Sequence, residues 1–76
     1  MIQIDLKLFV TLSKYLPVGS EAYEIKDGTT INELMADLGI PHGIVKLIFI
    51  NGRKQDRDYC LRQGDRVGLF PPVGGG

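Results

Sequence analysis

The sequence has a single cysteine, Cys60, and no tryptophan among its 76 residues. One thiol excludes an internal disulfide, so we expect folding without one in a reducing compartment, the cytoplasm. The chain also lacks an excess of either charge, because nine basic residues balance nine acidic ones. Nucleic-acid-binding domains usually show a basic excess, so this balance argues against a nucleic-acid partner.

Long apolar runs are missing as well. No stretch approaches the roughly 20 apolar residues of a membrane-spanning helix, so we expect no membrane partner. The beginning of the chain alternates apolar and polar residues, unlike a signal peptide. At this length only about 60% of the unfolded surface can be buried, which fits one domain without a deep enclosed active site. We therefore expect a small soluble domain with no self-contained catalytic centre.

Residue clusters for metal binding or catalysis are equally scarce. The only histidine, His42, stands in a predicted loop without a cysteine or acidic neighbour, which argues against a metal or catalytic site. Cys60 lies between Tyr59 and Leu61, and we predict a buried or half-buried structural thiol, since reactive thiols need a basic, exposed setting. We predict no metal and no cofactor bound by the chain itself.

The first half of the chain predicts two strands and a helix. Apolar residues at every second position predict the first strand: Ile2, Ile4, Leu6, Leu8 and Val10. A second strand is predicted over residues 21–25. Thr30 and Glu33 form a capping box, and the apolar residues that follow share one helical face. Gly39 and Pro41 predict the end of this helix.

The second half predicts further strands around a tight turn. Residues 47–50 are β-branched or aromatic, and Asn51-Gly52 is a strong hairpin signal. Residues 53–58 are polar and fit a short edge strand, and residues 66–70 predict the last strand. This order predicts an α+β domain over residues 1–70, with one main helix on one face of a mixed four- to five-stranded sheet. A ferredoxin-like arrangement would need a second helix, which residues 53–63 do not supply.

Residues 71–76 form a tail with a different composition. Pro71 and Pro72 favour an extended path, and six residues reach roughly 20 Å from the domain. The glycines that follow have no side chain to obstruct entry into a narrow channel. The tail therefore predicts delivery of the Gly76 carboxylate into a partner's site, although a loose terminus without function is the simpler alternative.

The last fourteen residues resemble the C-terminal pattern of the MoaD/ThiS family of sulfur carriers, which includes the small subunit of molybdopterin synthase. The resemblance rests on Gln63–Val67 followed by Phe70–Gly76. The length and element order of the whole chain also resemble the ubiquitin-like β-grasp. One departure is Gly74, because a small non-glycine residue often precedes the final two glycines in that family.

The resemblance implies a non-catalytic carrier subunit of a sulfurtransferase-type synthase. An E1-like enzyme would use ATP to adenylate the carboxylate of Gly76, and a sulfur donor would convert it to a thiocarboxylate. A larger synthase subunit would accept the tail and use the sulfur for molybdopterin, the precursor of molybdenum or tungsten cofactors. The residues expected to aim the tail and fit it into the partner's site are Pro71, Pro72, Val73, Gly74 and Gly75.

Partner contacts are expected from exposed apolar residues on the outer face of the sheet. Phe70 is the first candidate, because it begins the tail and alternates opposite Val67 and Leu69. Phe9 and Ile48 are further candidates. Basic residues in the second half are candidates for steering toward an acidic patch on an activating enzyme, although a solvated face is the simpler interpretation.

Three alternatives to molybdopterin synthesis remain open at this point. A ubiquitin-like modifier would be joined to lysines through Gly76, and it would share the chemistry up to the adenylate. A ThiS-like carrier would supply sulfur for thiamine synthesis instead. A plain β-grasp binding module would have a glycine tail without chemical function.

Overall fold

The computed structural model describes residues 1–72, apart from the side chain of His42, and contains five strands and one α-helix within that range. The elements are β1 (Ile2–Leu8), β2 (Tyr23–Ile25), α1 (Ile31–Leu38), β3 (Leu47–Ile50), β4 (Arg53–Lys54) and β5 (Arg66–Phe70). Short 3-10 helices occupy Val10–Tyr15, Ser20–Ala22 and His42–Ile44. The predicted α+β class, a mixed sheet with one main helix, is confirmed.

The strands form one sheet in the order β2-β1-β5-β3-β4. β5 lies in the middle, parallel to β1 and antiparallel to β3, while β2 and β4 are the edges. Leu69 therefore pairs with Leu8 on one side and with Ile48 on the other. The tail begins directly after this central strand, so its first residues are attached to the best-supported part of the sheet.

Helix α1 begins at the predicted capping box. The backbone N–H of Glu33 donates to Oγ1 of Thr30 at 3.2 Å, and the N–H of Thr30 donates to Oε1 of Glu33 at 2.9 Å. Gly39 ends the helix in the left-handed conformation with φ 75°, which favours glycine. Both predicted helix boundaries are confirmed.

The core lies between α1 and one face of the sheet. Aliphatic side chains from the helix and the three inner strands form a single buried cluster, and its most enclosed members include Ile4, Leu6, Ile31, Leu34, Met35, Val67 and Leu69. Each such side chain stabilises the fold by about 1.5–3 kcal/mol relative to leaving it exposed. A helix of eight residues is too short to be stable alone, so this packing holds it in place.

Two predicted strands are shorter in the structure. The strand predicted over residues 21–25 begins at Tyr23, and the edge strand predicted over residues 53–58 ends at Lys54.

Two further local predictions also need correction. Strand β1 ends at Leu8, and Val10 begins a 3-10 helix and is 73% exposed. The prediction that Cys60 is buried or half-buried is wrong, because the thiol is exposed. Cys60 forms an isolated bridge with Thr30, and its neighbour Leu61 points into the core. Because successive side chains in an extended segment point to opposite sides, Cys60 points away from the core.

The start of β5 is fixed by Asp65, the one buried charged residue among residues 1–72. Its carboxylate accepts hydrogen bonds from Nδ2 of Asn51 (2.9 Å), the backbone N–H of Arg62 (2.9 Å) and the hydroxyl of Tyr59 (3.2 Å). Asn51 in turn accepts from the N–H of Arg66 at 2.9 Å. Gly64 and Asp65 form a Gly-Asp motif just before β5. Through its hydrogen bonds, Asp65 connects the β3–β4 turn to the central strand.

Burial raises the pKa of the Tyr59 hydroxyl, and the negative charge of Asp65 raises it further. A raised folded-state pKa means that the neutral phenol stabilises the fold. This contribution is fully present below the ordinary pKa of 10.0 and is lost as the pH rises through the folded-state value. The hydrogen bond from Tyr59 to Asp65 is therefore expected to be lost in strongly alkaline solution.

Within residues 1–72, the structure contains no helix that is long and apolar enough to cross a membrane.

Candidate functional site

The face of the sheet opposite α1, here called the outer face, differs in composition from the core-facing side. Side chains alternate along β5, so Val67 and Leu69 point to the core while Arg66, Gly68 and Phe70 point outward. The paired strands place other residues beside them, because Lys7 and Phe49 are the register partners of Gly68. The outer face therefore combines aromatic and basic side chains around a glycine.

All three phenylalanines of the chain meet on this face. The rings of Phe9 and Phe70 are stacked, with centroids 4.3 Å apart and an interplanar angle of 3°. Phe49 meets Phe70 edge to face, with centroids 5.6 Å apart and an angle of 86°. Such pairs contribute about 0.5–1.5 kcal/mol each beyond the area they bury. We call Phe9, Phe49 and Phe70 the aromatic cluster.

Gly68 forms the floor beneath these rings. A Cβ at this position would lie 3.4 Å from Cε2 of Phe9 and 3.7 Å from Cε1 of Phe70, which is van der Waals contact, so both rings lie directly over the glycine. The result is an open groove of about 410 Å³, bordered by the cluster and by Lys7 and Arg66. Its apolar lining and open shape suit a protruding apolar side chain of another protein.

The root of the tail is held by the backbone on both sides. The N–H of Phe9 donates to the carbonyl of Leu69 at 3.1 Å, and the N–H of Lys46 donates to the carbonyl of Phe70 at 2.8 Å. Pro71 is half-buried and Pro72 is exposed. The chain thus leaves the sheet beside the aromatic cluster, and any protein that binds the cluster is also close to the tail.

Val10 adds backbone strain next to the cluster. This β-branched residue has a φ of 55°, in the left-handed region that such side chains rarely adopt, and its side chain is exposed. A conformation of this kind costs of order 1–3 kcal/mol and is found most often at functional sites. Val10 directly follows Phe9, so the strained turn lies where the ring of Phe9 stacks on Phe70.

The structure places two of the three predicted docking residues on the outer face. Phe70 and Phe9 are half-buried there and in contact with each other. The expectation that Ile48 is exposed on this face is wrong, because Ile48 is 5% exposed and belongs to the core. Its neighbour Phe49 takes the outward position and was missed, because residues 47–50 are apolar at every position and alternation alone does not show which of them face the core.

The other predicted site residues belong to the tail. Val73, Gly74, Gly75 and Gly76 lie outside the described residues, and the roles expected of them stay predictions. Among residues 1–72, His, Cys, Asp and Glu side chains form no group of three or more that is arranged to hold a metal ion.

A five-stranded mixed sheet, with one helix on one face and the C-terminal strand in the middle, defines a ubiquitin-like β-grasp protein. The ThiS family matches residues 6–76, and the chain belongs to this family of small sulfur carriers. The Gly-Asp motif and the Pro-Pro tail, on which the predicted resemblance rested, lie within the matched range.

Solved structures of similar proteins agree with this assignment. The Pyrococcus furiosus protein assigned as molybdopterin converting factor subunit 1 is 26% identical, with a TM-score of 0.72 over 96% of this chain and 100% of that one. In the complex of subunits 1 and 2 of molybdopterin-converting factor from Helicobacter pylori, the matched chain is 27% identical, with a TM-score of 0.58 over 99% and 100%.

A third similar structure is small archaeal modifier protein 1 of Haloferax volcanii, which is 20% identical with a TM-score of 0.71 over 96% of this chain and 100% of that one. At this identity the similarity concerns the fold alone. Among curated proteins, none matches this chain.

Proposed function

We propose that this protein carries sulfur for molybdopterin synthesis, as the small subunit of a two-protein synthase. In this proposal an E1-like enzyme binds the outer face and adenylates the carboxyl group of Gly76 with ATP. A sulfur donor converts the adenylate to a thiocarboxylate. The larger synthase subunit then accepts the tail, and the thiocarboxylate transfers its sulfur to the cofactor precursor.

The observation that most supports this proposal is the position of the tail root beside the aromatic cluster in a member of the ThiS family. An adenylating enzyme must hold the domain and receive the tail at the same time. The outer face offers an apolar surface where the chain leaves the sheet, so one docking event serves both needs. Two similar structures, at 26% and 27% identity, bear the name of molybdopterin converting factor, and one is a complex with subunit 2.

The chemistry explains why a partner and ATP are needed. A carboxylate is a poor electrophile, because its negative charge and resonance oppose nucleophilic attack. When a carboxylate oxygen attacks the α-phosphorus of ATP, pyrophosphate leaves and a reactive acyl adenylate forms. A sulfur nucleophile then attacks the acyl carbon and displaces AMP, which splits one difficult reaction into two easier ones. The partner supplies the positioning, and the carrier supplies the group.

Altering the last residue of the tail tests this proposal. One variant lacks Gly76 and another has a residue appended after it, and each is incubated with ATP and the adenylating enzyme of the same organism. Pyrophosphate release should be lost in both variants, while the thermal midpoint stays nearly unchanged because the folded domain is intact. Adenylation of the truncated protein at the wild-type rate would contradict the proposal.

The modifier alternative has a different signature. A protein joined to lysines leaves a branched peptide after trypsin digestion, and because Arg66 is the last basic residue the branch is residues 67–76. A carrier instead shows replacement of one carboxyl oxygen by sulfur. A ThiS-like carrier for thiamine would show the same thiocarboxylate, so transfer to a molybdopterin precursor in the presence of the large subunit separates these two pathways.

A further inference from the structure

The net charge of zero conceals an uneven distribution of charge along the chain. Residues 1–40 contain six acidic and three basic residues, and residues 41–76 contain three acidic and six basic ones. Three of the acidic residues, Glu24, Glu33 and Asp37, border a surface cleft lined by β2 and α1, and β2 is the edge strand two positions from β5.

The aromatic groove has basic residues on its border. Lys7 and Arg66 both line it, both are exposed, and neither has an acidic side chain within ion-pair distance among residues 1–72. Asp5 is the register neighbour of Arg66, yet it makes no ion pair with it. Neither cation is therefore offset by a carboxylate at ion-pair distance in the described residues, and exposed charges act on an approaching protein over about 8 Å at physiological ionic strength.

We propose that the outer face recognises an acidic surface on its protein partner, with an apolar side chain of that partner seated against Phe9, Phe49 and Phe70 and its carboxylates facing Lys7 and Arg66. This inference rests on the proposed function, since the partner is the adenylating enzyme. Apolar contact supplies most of the affinity, and the two cations supply the association rate and the choice of partner.

The same charges disfavour a second copy of this chain as the occupant. Two outer faces packed against each other would bring two sets of Lys7 and Arg66 together over a shared apolar interface. Like charges that face each other across an interface oppose association. The protein is therefore expected to stay monomeric although its aromatic groove is open.

Charge reversal at matched positions tests the proposal. Lys7→Glu and Arg66→Glu change the border of the groove, while Lys26→Glu makes the same change in charge beside the acidic cleft. Each exposed side chain lies outside the core, and circular dichroism checks that each variant is folded. Stopped-flow measurements give the association rate constant with the adenylating enzyme of the same organism, from low to high salt.

We expect each reversal at the groove to lower the association rate constant at low salt by about tenfold or more. The wild-type rate should fall as salt rises, whereas the variants at the groove should show little salt dependence. Lys26→Glu should associate as fast as the wild type. Equal rates for all three variants, or a wild-type rate that salt does not change, would overturn the proposal, and so would sedimentation of the wild type as a stable dimer.

The two proposals fail in different ways. If the wild type acquires sulfur but the charge variants associate normally, the inference about the acidic partner is wrong and the sulfur-carrier function stands. If the adenylating enzyme binds with the predicted dependence on charge but never releases pyrophosphate, the recognition surface stands and the proposed chemistry is wrong.

Discussion

The two faces of β5 show different kinds of packing within five residues. Val67 and Leu69 are 1% and 0% exposed, and they belong to an aliphatic core that includes the helix. Gly68 and Phe70, on the other face, are half-buried beneath and within an aromatic cluster that faces solvent. We infer that the inner face supplies the stability of the domain and that the outer face is kept for a partner.

The largest expected effect on stability comes from the inner face. Leu69→Ala removes a fully buried side chain from the middle of the sheet and leaves a cavity, so we expect a loss of about 2–5 kcal/mol in the free energy of unfolding. Urea denaturation followed by circular dichroism measures this loss. Adenylation by the folded fraction should remain normal; a specific loss of adenylation with unchanged stability would reverse the proposed roles of the two faces.

A smaller effect is expected at Asp65, where β5 begins. Asp65→Ala leaves the Asn51 amide, the Arg62 N–H and the Tyr59 hydroxyl without their acceptor, and we expect a loss of about 1.5–3 kcal/mol. Hydrogen exchange at the N–H of Arg66 should accelerate along with the fall in the urea midpoint. If stability is unchanged, the buried carboxylate does not hold the turn to the strand.

The smallest expected effect on stability belongs to Phe70. Phe70→Ala removes both ring contacts on the outer face, each of which contributes about 0.5–1.5 kcal/mol, and we expect the free energy of unfolding to fall by about 1–3 kcal/mol. Binding to the adenylating enzyme should weaken by about 2 kcal/mol, roughly thirtyfold, as measured by calorimetry. A stability loss as large as that of Leu69→Ala, with binding unchanged, would show that Phe70 stabilises the fold and does not bind the partner.

Local sequence signals predicted the elements of this fold well. The capping box of Thr30 and Glu33 and the Asn51-Gly52 turn depend on residues within a few positions, and the structure shows both. The alternation of Ile4, Leu6 and Leu8 likewise predicted which face of β1 is buried. These features can be predicted from the sequence because each depends on residues that are close together in the chain.

The composition of the outer face was harder to predict, because it depends on pairing between distant strands. Nothing near Phe49 indicates that it lies opposite Gly68, or that the ring of Phe9 stacks on Phe70. The short run of residues 47–50 is apolar at every position, so its burial phase had no polar residue to mark it. Ile48 was assigned to the wrong face for this reason.

The most direct test of the sulfur-carrier proposal is the mass of the C-terminal peptide of the protein isolated from its native host. We predict a fraction in which one carboxyl oxygen of Gly76 is replaced by sulfur, and this fraction should disappear when the gene for the adenylating enzyme is deleted. If the peptide has only its unmodified mass in cells that are making the cofactor, or is found only attached to lysine, the account of this protein as a sulfur carrier is wrong.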